Sequence, residues 1–359
     1  MSTNPIKRIF ELYTSDLSYQ EIERLIKREA NEVYEFFKSD IPKPDQSKNK
    51  IIRALIFARS LFNAFIMKLT PARRIFYLIA LLFFMVGYFQ QMHGYIFLAF
   101  IIVSLLLAFE LADKLSAKSE LDVARKIQFD LIPKIPSKIY NYELSAYYEP
   151  AREVGGDYYD VVETPDRTFI IVGDISGKGM AAALYMVRVQ AIIYQLLNNY
   201  SSIVDLIINL KKYFSKNLRR EYFLTLAIAS IEKDGVINIA RAGHPPIFHY
   251  RSEPKDFYVV NPQGIGIGLN DRGVFEKTLE QISIIAKKND IVFMYTDGVT
   301  ETMNVNFQQF GYENVKRIIQ LNADKTSEEI KNALLRGIIT FRGSAIQNDD
   351  ISMVILKAT

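Results

Sequence analysis

Four short acidic motifs occupy the C-terminal half of the chain: Gly155-Gly156-Asp157, Gly173-Asp174-Ile175-Ser176-Gly177-Lys178-Gly179, Tyr295-Thr296-Asp297-Gly298 and Asn348-Asp349-Asp350. Each sets an aspartate in a glycine turn or at the end of a β-like run, where a carboxylate projects from a sheet edge without sinking among apolar neighbours. Carboxylates that converge repel one another unless they are compensated, and hard divalent cations compensate them through oxygen ligands. Asp157, Asp174, Asp297 and Asp349 are therefore the candidate metal ligands. The chain has no cysteine and only three histidines, His93, His244 and His249. That excludes disulfides, thiolate zinc sites and cysteine nucleophiles, and it argues against a multi-histidine centre. The remaining oxygen donors favour magnesium or manganese over zinc.

The elements that must position these residues follow a long apolar region. With 359 residues, 49% of them hydrophobic, the chain can bury a sizeable core and hold more than one domain. Its net charge of +4 is mild, and no basic and aromatic stripe marks the C-terminal half, so no nucleic-acid partner is expected. Ile75 to Phe109 carries no charged side chain, with a polar break at Gln90-Gln91-Met92-His93-Gly94. Two helices of about 17 residues each, Ile75 to Gln91 and Tyr95 to Leu111, sit near the lower limit for crossing a bilayer. They predict a two-helix transmembrane hairpin over 75–111, the alternative being a buried hairpin in a soluble domain. Arg53, Arg59, Lys68, Arg73 and Arg74 precede it, Lys114, Lys118 and Arg125 follow it, and the connecting loop has no lysine or arginine. The positive-inside rule then gives a multi-pass protein of the cell inner membrane with a cytoplasmic catalytic domain. The polar, charged N-terminus reads as lacking a cleavable signal.

Upstream, residues 1–48 form a predicted N-terminal helical region, with an amphipathic helix over 18–38 ended by Pro42 and Pro44. Residues 49–74 read as an amphipathic juxtamembrane helix, lying on the membrane surface or packed as a soluble helix. A helical linker follows at 112–134, where Leu115, Leu121, Ala124, Ile127 and Leu131 make a rough stripe. It suits either a seam between two copies in a homodimer that transmits a signal, or a connector packed on the next domain. The domain at 135–359 offers strand candidates at Leu144–Tyr148, Phe169–Val172, Thr225–Ile231, Val236–Arg241, Ile247–Tyr250, Ile291–Tyr295 and Ile351–Leu356. Helix candidates are Ala181–Asn198, Ile203–Leu218, Gly311–Leu321 and Ser327–Phe341. Strands arriving in succession around a helical pair predict an α+β fold, helices covering antiparallel sheets, rather than a doubly wound parallel sheet.

Read in order, Glu149-Pro-Ala-Arg-Glu-Val-Gly-Gly-Asp-Tyr-Tyr-Asp160, Val172-Gly-Asp-Ile-Ser-Gly-Lys-Gly-Met180, Ala242-Gly-His-Pro-Pro246, Tyr295-Thr-Asp-Gly-Val-Thr-Glu301 and Asn348-Asp-Asp-Ile351 resemble the SpoIIE-like branch of the metal-dependent PPM serine/threonine phosphatases. The match begins near Leu121, includes Ala124-Arg-Lys-Ile-Gln-Phe-Asp-Leu-Ile-Pro133, and runs almost to the C-terminus. The resemblance implies a PPM-type α/β/β/α sandwich of two antiparallel sheets flanked by helices, with two Mn²⁺ or Mg²⁺ ions in a cleft at the sheet ends. It implies that Asp174 bridges both ions, that the carbonyl of Ile175 adds a ligand, and that Asp157, Asp297 and Asp349 complete the set. Asp350 falls where many relatives place asparagine and is expected behind the ligands, although the adjacent pair leaves the choice between Asp349 and Asp350 open. The implied chemistry is attack by a metal-bridged water on a phosphoserine or phosphothreonine, with no phosphoenzyme. The implied partner is a phosphorylated protein, an anti-sigma-factor antagonist in a bacterial partner-switching pathway.

Other motifs have blander readings beside the functional ones. Ser176 to Gly179 enter a helix and either hold an anion or cap that helix, with capping favoured. His244 is a proton donor or, by preference, a turn histidine satisfied by hydrogen bonds. Gly264, Gly266 and Gly268 lack the helix and acidic partner of a dinucleotide site and are expected to shape a loop. Arg152 and Glu153 read as a salt-bridged structural pair. Gly155-Gly-Asp-Tyr-Tyr159 approximates a diguanylate cyclase signature but leaves the other three aspartates unused. A Walker loop at Gly173–Lys178 fails on spacing and on Gly179. A catalytically inactive membrane-bound interaction module is the rival from another class, opposed by the intact aspartates.

Overall fold

The computed structural model describes residues 50–197, 202–217, 219 and 221–359. The amphipathic helix expected over 18–38 lies outside the described residues. The chain divides into two units, one ending at Ser116 and the other spanning Ala117–Thr359.

The first unit contains α1 (Lys50–Lys68), α2 (Pro71–Phe89) and the first part of α3 (His93–Leu131). Pro71 starts α2, where its missing N–H costs nothing. The polar break becomes a tight turn with Gln91 in the left-handed region, φ 55°. Arg73, two residues before the uncharged stretch, pairs with Glu110 at 2.8 Å and Asp113 at 2.7 Å, so charges flanking the hairpin close its open end. Leu82, Phe89, Phe97, Phe100 and Leu107 are exposed, and both helices are long and apolar enough to cross a membrane. The hairpin's second arm and the linker, expected as separate helices, are one continuous helix of 39 residues. No glycine or proline stands between Tyr95 and Leu131 to end it.

The second unit is a sandwich of two antiparallel sheets. One has the order β1 (Lys138–Ile139), β2 (Tyr142–Glu149), β11 (Ile351–Ala358), β10 (Ile291–Tyr295), β7 (Ile247–Arg251) and β8 (Asp256–Val260). The other has the order β3 (Asp157–Glu163), β4 (Arg167–Ile175), β5 (Leu224–Glu232), β6 (Val236–Ala242) and β9 (Gln281–Ile285). Successive strand residues face opposite sides, and here both sides are covered. In β4, Ile170 and Val172 enter the core between the sheets, while Phe169 and Ile171 pack outward. Outside them lie α4 (Met180–Leu197) and α5 (Ile203–Asn217), through Met186, Val189, Ile193, Leu206 and Phe214. In β10 and β11, Val292, Met294, Val354 and Leu356 point inward, and Phe293, Met353 and Ile355 point outward. Those outward residues meet α8 (Gly311–Leu321) and α9 (Ser327–Arg342). Two short helices, α6 (Phe275–Thr278) and α7 (Asp297–Glu301), complete the unit.

The expected α/β/β/α layering is therefore present, with β1, β3, β8 and β9 added to the strands legible in sequence. Although α4 is also long and apolar enough to cross a membrane, its buried face belongs to the core against β4 and β5. At the start of α9, Thr326 and Glu329 form a reciprocal capping box, each side chain accepting from the other's backbone N–H. Thr326→Ala removes one acceptor and is expected to cost about 1 kcal/mol, read as a lower midpoint in denaturant with unchanged slope.

Candidate metal centre

Antiparallel register brings the four motifs to one edge of the sandwich. Asp157 opens β3, Asp174 lies one residue from the end of β4, and the two are direct partners. In the other sheet, Tyr295 at the end of β10 stands opposite Met353 of β11, so Asp297 follows one strand where Asp349 and Asp350 precede the other. At this edge a hydroxyl joins the two sheets. Thr296 Oγ1 donates to Asp157 Oδ2 at 2.6 Å and accepts from the Ser352 N–H at 3.0 Å.

The electrostatics record how closely these carboxylates are held. Asp157 is only 2% exposed, whereas Asp174, Asp297 and Asp349 are half-buried. Burial first, then the Asp174 and Asp350 charges, hold the Asp157 carboxyl well above its ordinary range. Asp174 is pushed up to about 7 by burial and by Asp297, Asp349 and Asp350. Burial, Asp349 and Glu301 push Asp297 up to about 6. Mutual repulsion of this kind is relieved by a proton or by a cation.

Close backbone approach is required at the same place. A Cβ on Gly156 would lie 2.7 Å from the Ile175 carbonyl oxygen and 3.6 Å from Asp174 Oδ1, so only glycine lets the start of β3 approach the end of β4 this closely. A Cβ on Gly298 would lie 1.9 Å from the Asp350 carbonyl oxygen, so only glycine lets the Asp349–Asp350 turn close against α7. The donor set is all oxygen and anionic, which fits a hard divalent cation. Among the described residues, no three His, Asp or Glu side chains are grouped closely enough to hold one ion between them. Their other partners explain this. Asp350 accepts from the N–H groups of Ala151 and Gly156, both at 2.7 Å, and Asp349 Oδ2 lies 3.0 Å from Lys178 Nζ.

Two contributors, Thr296 and Gln128, carry no sequence signal for their roles. Asp350, expected behind the ligands, ties the loop before Asp157 into place. Gln128, 3% exposed on α3, donates to the Gly155 carbonyl at 2.7 Å and accepts from the Gly155 N–H at 3.1 Å. The other expectations divide. The turn Ser176–Gly179 leads into α4 through the Gly179 carbonyl, which accepts the first helical bond from the Ala183 N–H, while the Ser176 hydroxyl accepts from the Phe223 N–H at 2.8 Å. His244 is 1% exposed and its Nδ1 lies 2.8 Å from Thr225 Oγ1. Burial lowers it to about 3, so it is neutral near pH 7 and is no imidazolium proton donor. Gly264 and Gly266 shape a loop, the Gly264 carbonyl accepting from the Gly243 N–H. Arg152 is exposed, and it forms no ion pair with Glu153.

The family model described as Stage II sporulation protein E matches residues 164–359. The chain belongs to the SpoIIE family. Among relatives of this SpoIIE-family chain, the phosphoserine phosphatase RsbU of Bacillus subtilis (strain 168) is 25% identical over 248 residues, 67% of this chain and 70% of that protein. The SiaA-PP2C domain of Pseudomonas aeruginosa superposes with a TM-score of 0.60 at 19% identity, covering 68% of this chain and 98% of that one. The structure of the PP2C phosphatase domain and a regulatory fragment of SpoIIE from Bacillus subtilis gives 0.51 at 21% identity, covering 61% of this chain and 64% of that one. The fold is thus of the PP2C type, which leaves no place for the cyclase reading.

Since Asp174 and Asp297 carry protons up to about 7 and about 6, a bound cation must displace them. Mn²⁺ affinity is expected to rise between about pH 6 and pH 8, with proton release. Calorimetric titration in buffers of different ionisation enthalpy measures both, and an affinity flat over that range contradicts the assignment.

Proposed function

We propose that this chain is a metal-dependent protein phosphatase acting on phosphoserine or phosphothreonine. Family membership supports the reaction class, and the observation that carries the reading is the gathering of Asp157, Asp174, Asp297 and Asp349 at one sheet edge, where burial and mutual repulsion raise the pKa values of Asp157, Asp174 and Asp297. In this reading Asp157, Asp174, the Ile175 carbonyl, Asp297 and Asp349 hold two Mn²⁺ or Mg²⁺ ions. When bound, such ions supply an acidified water nucleophile and neutralise phosphoryl oxygens. The protein's own part is positional. Thr296 fixes the Asp157 carboxylate from the opposite sheet. Asp350, with both oxygens engaged by backbone N–H groups, leaves Asp349 as the carboxylate available for a ligand's role.

The substrate in this reading is a phosphorylated anti-sigma-factor antagonist in a partner-switching pathway, a proposal supported by the likeness to RsbU. The apolar helices α2 and α3 support a membrane tether with the phosphatase domain on the cytoplasmic side. The linker part of α3 serves as the route for an input signal and as the seam of a homodimer. Its Gln128 contact to Gly155 supports the signal route, since it ties the helix to the residue two before Asp157.

Hydrolysis of p-nitrophenyl phosphate by the full chain is expected only with Mn²⁺ or Mg²⁺ present, and is expected to vanish in Asp174→Asn and Asp297→Asn. Metal-independent turnover defeats the reading, and no turnover at any Mn²⁺ concentration favours an inactive interaction module. Gln128→Ala leaves a buried N–H and carbonyl of Gly155 unpaired and is expected to lower kcat by about tenfold. Unchanged kinetics would show that the linker contact is not coupled to the site.

A further inference from the structure

Lys178 stands in the turn that leads into α4. It lies between Gly177 and Gly179, both with left-handed φ, 97° and 75°, a backbone that L side chains rarely adopt. The side chain is 36% exposed, yet it bends back over the aspartate edge. There Nζ lies 3.0 Å from Asp349 Oδ2 and also donates to the Asn348 carbonyl. Its charge works against the upward shift of Asp297 as well. Among the described residues it is the cation in contact with the cluster, and it engages Asp349 through Oδ2, while Asp349 Oδ1 accepts from the adjacent Asp350 N–H at 3.0 Å.

We propose that Lys178 is an internal counter-ion that competes with divalent cations for Asp349 and, when they take that carboxylate, supplies the cationic contact for the substrate phosphate. Charge balance carries the second step. Asp157, Asp174, Asp297, Asp349 and Asp350 bring five negative charges, and two divalent cations bring only four positive ones. An anionic phosphate monoester approaching that remainder is repelled unless a fifth positive charge faces it. Lys178 is within reach of the edge, on a flexible stem, and an ammonium acts on phosphate as a point charge. The phosphate step rests on the phosphatase reading; the competition for Asp349 does not.

Two titrations of the full chain in detergent test both halves without any turnover: Mn²⁺ into the cation-stripped protein, then inorganic phosphate into the Mn²⁺-loaded protein. Lys178→Met is expected to bind Mn²⁺ about threefold more tightly, because the competing charge is gone, and inorganic phosphate about tenfold more weakly. Lys178→Arg is expected to return both constants towards wild type. Opposite signs distinguish this from damage to the fold, which weakens both. An Mn²⁺ affinity that stays level or falls overturns the counter-ion role, and an unchanged phosphate constant overturns the phosphate contact. Failure of the phosphatase reading shows separately, as absent p-nitrophenyl phosphate turnover by the wild type.

Discussion

Carboxylate repulsion at one sheet edge is the constraint around which the unit Ala117–Thr359 is arranged. Raising Asp174 from 3.8 to about 7 corresponds to roughly 4 kcal/mol against the ionised form near neutral pH. A fully buried apolar side chain contributes about 1.5–3 kcal/mol, so two or three core residues offset one such aspartate. The sandwich has far more than that, because β4, β10 and β11 bury both faces. Rigidity follows from the same packing. With Tyr295 and Met353 fixed in register, the residues just beyond them have little freedom to move apart, and Thr296 locks the opposing sheet to them.

Where the repulsion is relieved locally, the relief also sets geometry. Asp350 spends its charge on two backbone N–H groups, which anchors the loop leading to Asp157. Asp349 spends its charge on a lysine, a partner that can leave. Asp157 has a hydroxyl. These three solutions differ in permanence, and that difference separates the carboxylates that shape the site from those suited to bind a ligand there.

Much of this was legible in the sequence because the signals were local. Short β-branched and aromatic runs at Phe169–Val172, Ile291–Tyr295 and Ile351–Leu356 mark the central strands, and the aspartates near their ends mark the candidate site. The misses were of a different kind. In β3 the run Asp157-Tyr-Tyr-Asp-Val-Val-Glu163 looks too acidic for a buried strand. It is one because Asp160 is satisfied by the Tyr158 hydroxyl and the Val161 N–H. Strands β8 and β9 are short edges with few inward residues. The pairs Gln128–Gly155 and Lys178–Asp349 join distant segments, and no periodicity encodes a partner that only the fold brings near. α3 runs unbroken through Leu111 because the change there from apolar to charged composition does not by itself end a helical backbone.

The central claim, that these aspartates form a divalent-metal site, is tested most directly by anomalous diffraction from crystals of the protein grown with Mn²⁺. The account expects two manganese peaks bounded by Asp157, Asp174, the Ile175 carbonyl, Asp297 and Asp349, both lost in Asp174→Asn. Manganese absent from this edge at saturating concentration, or bound without Asp174, would contradict it.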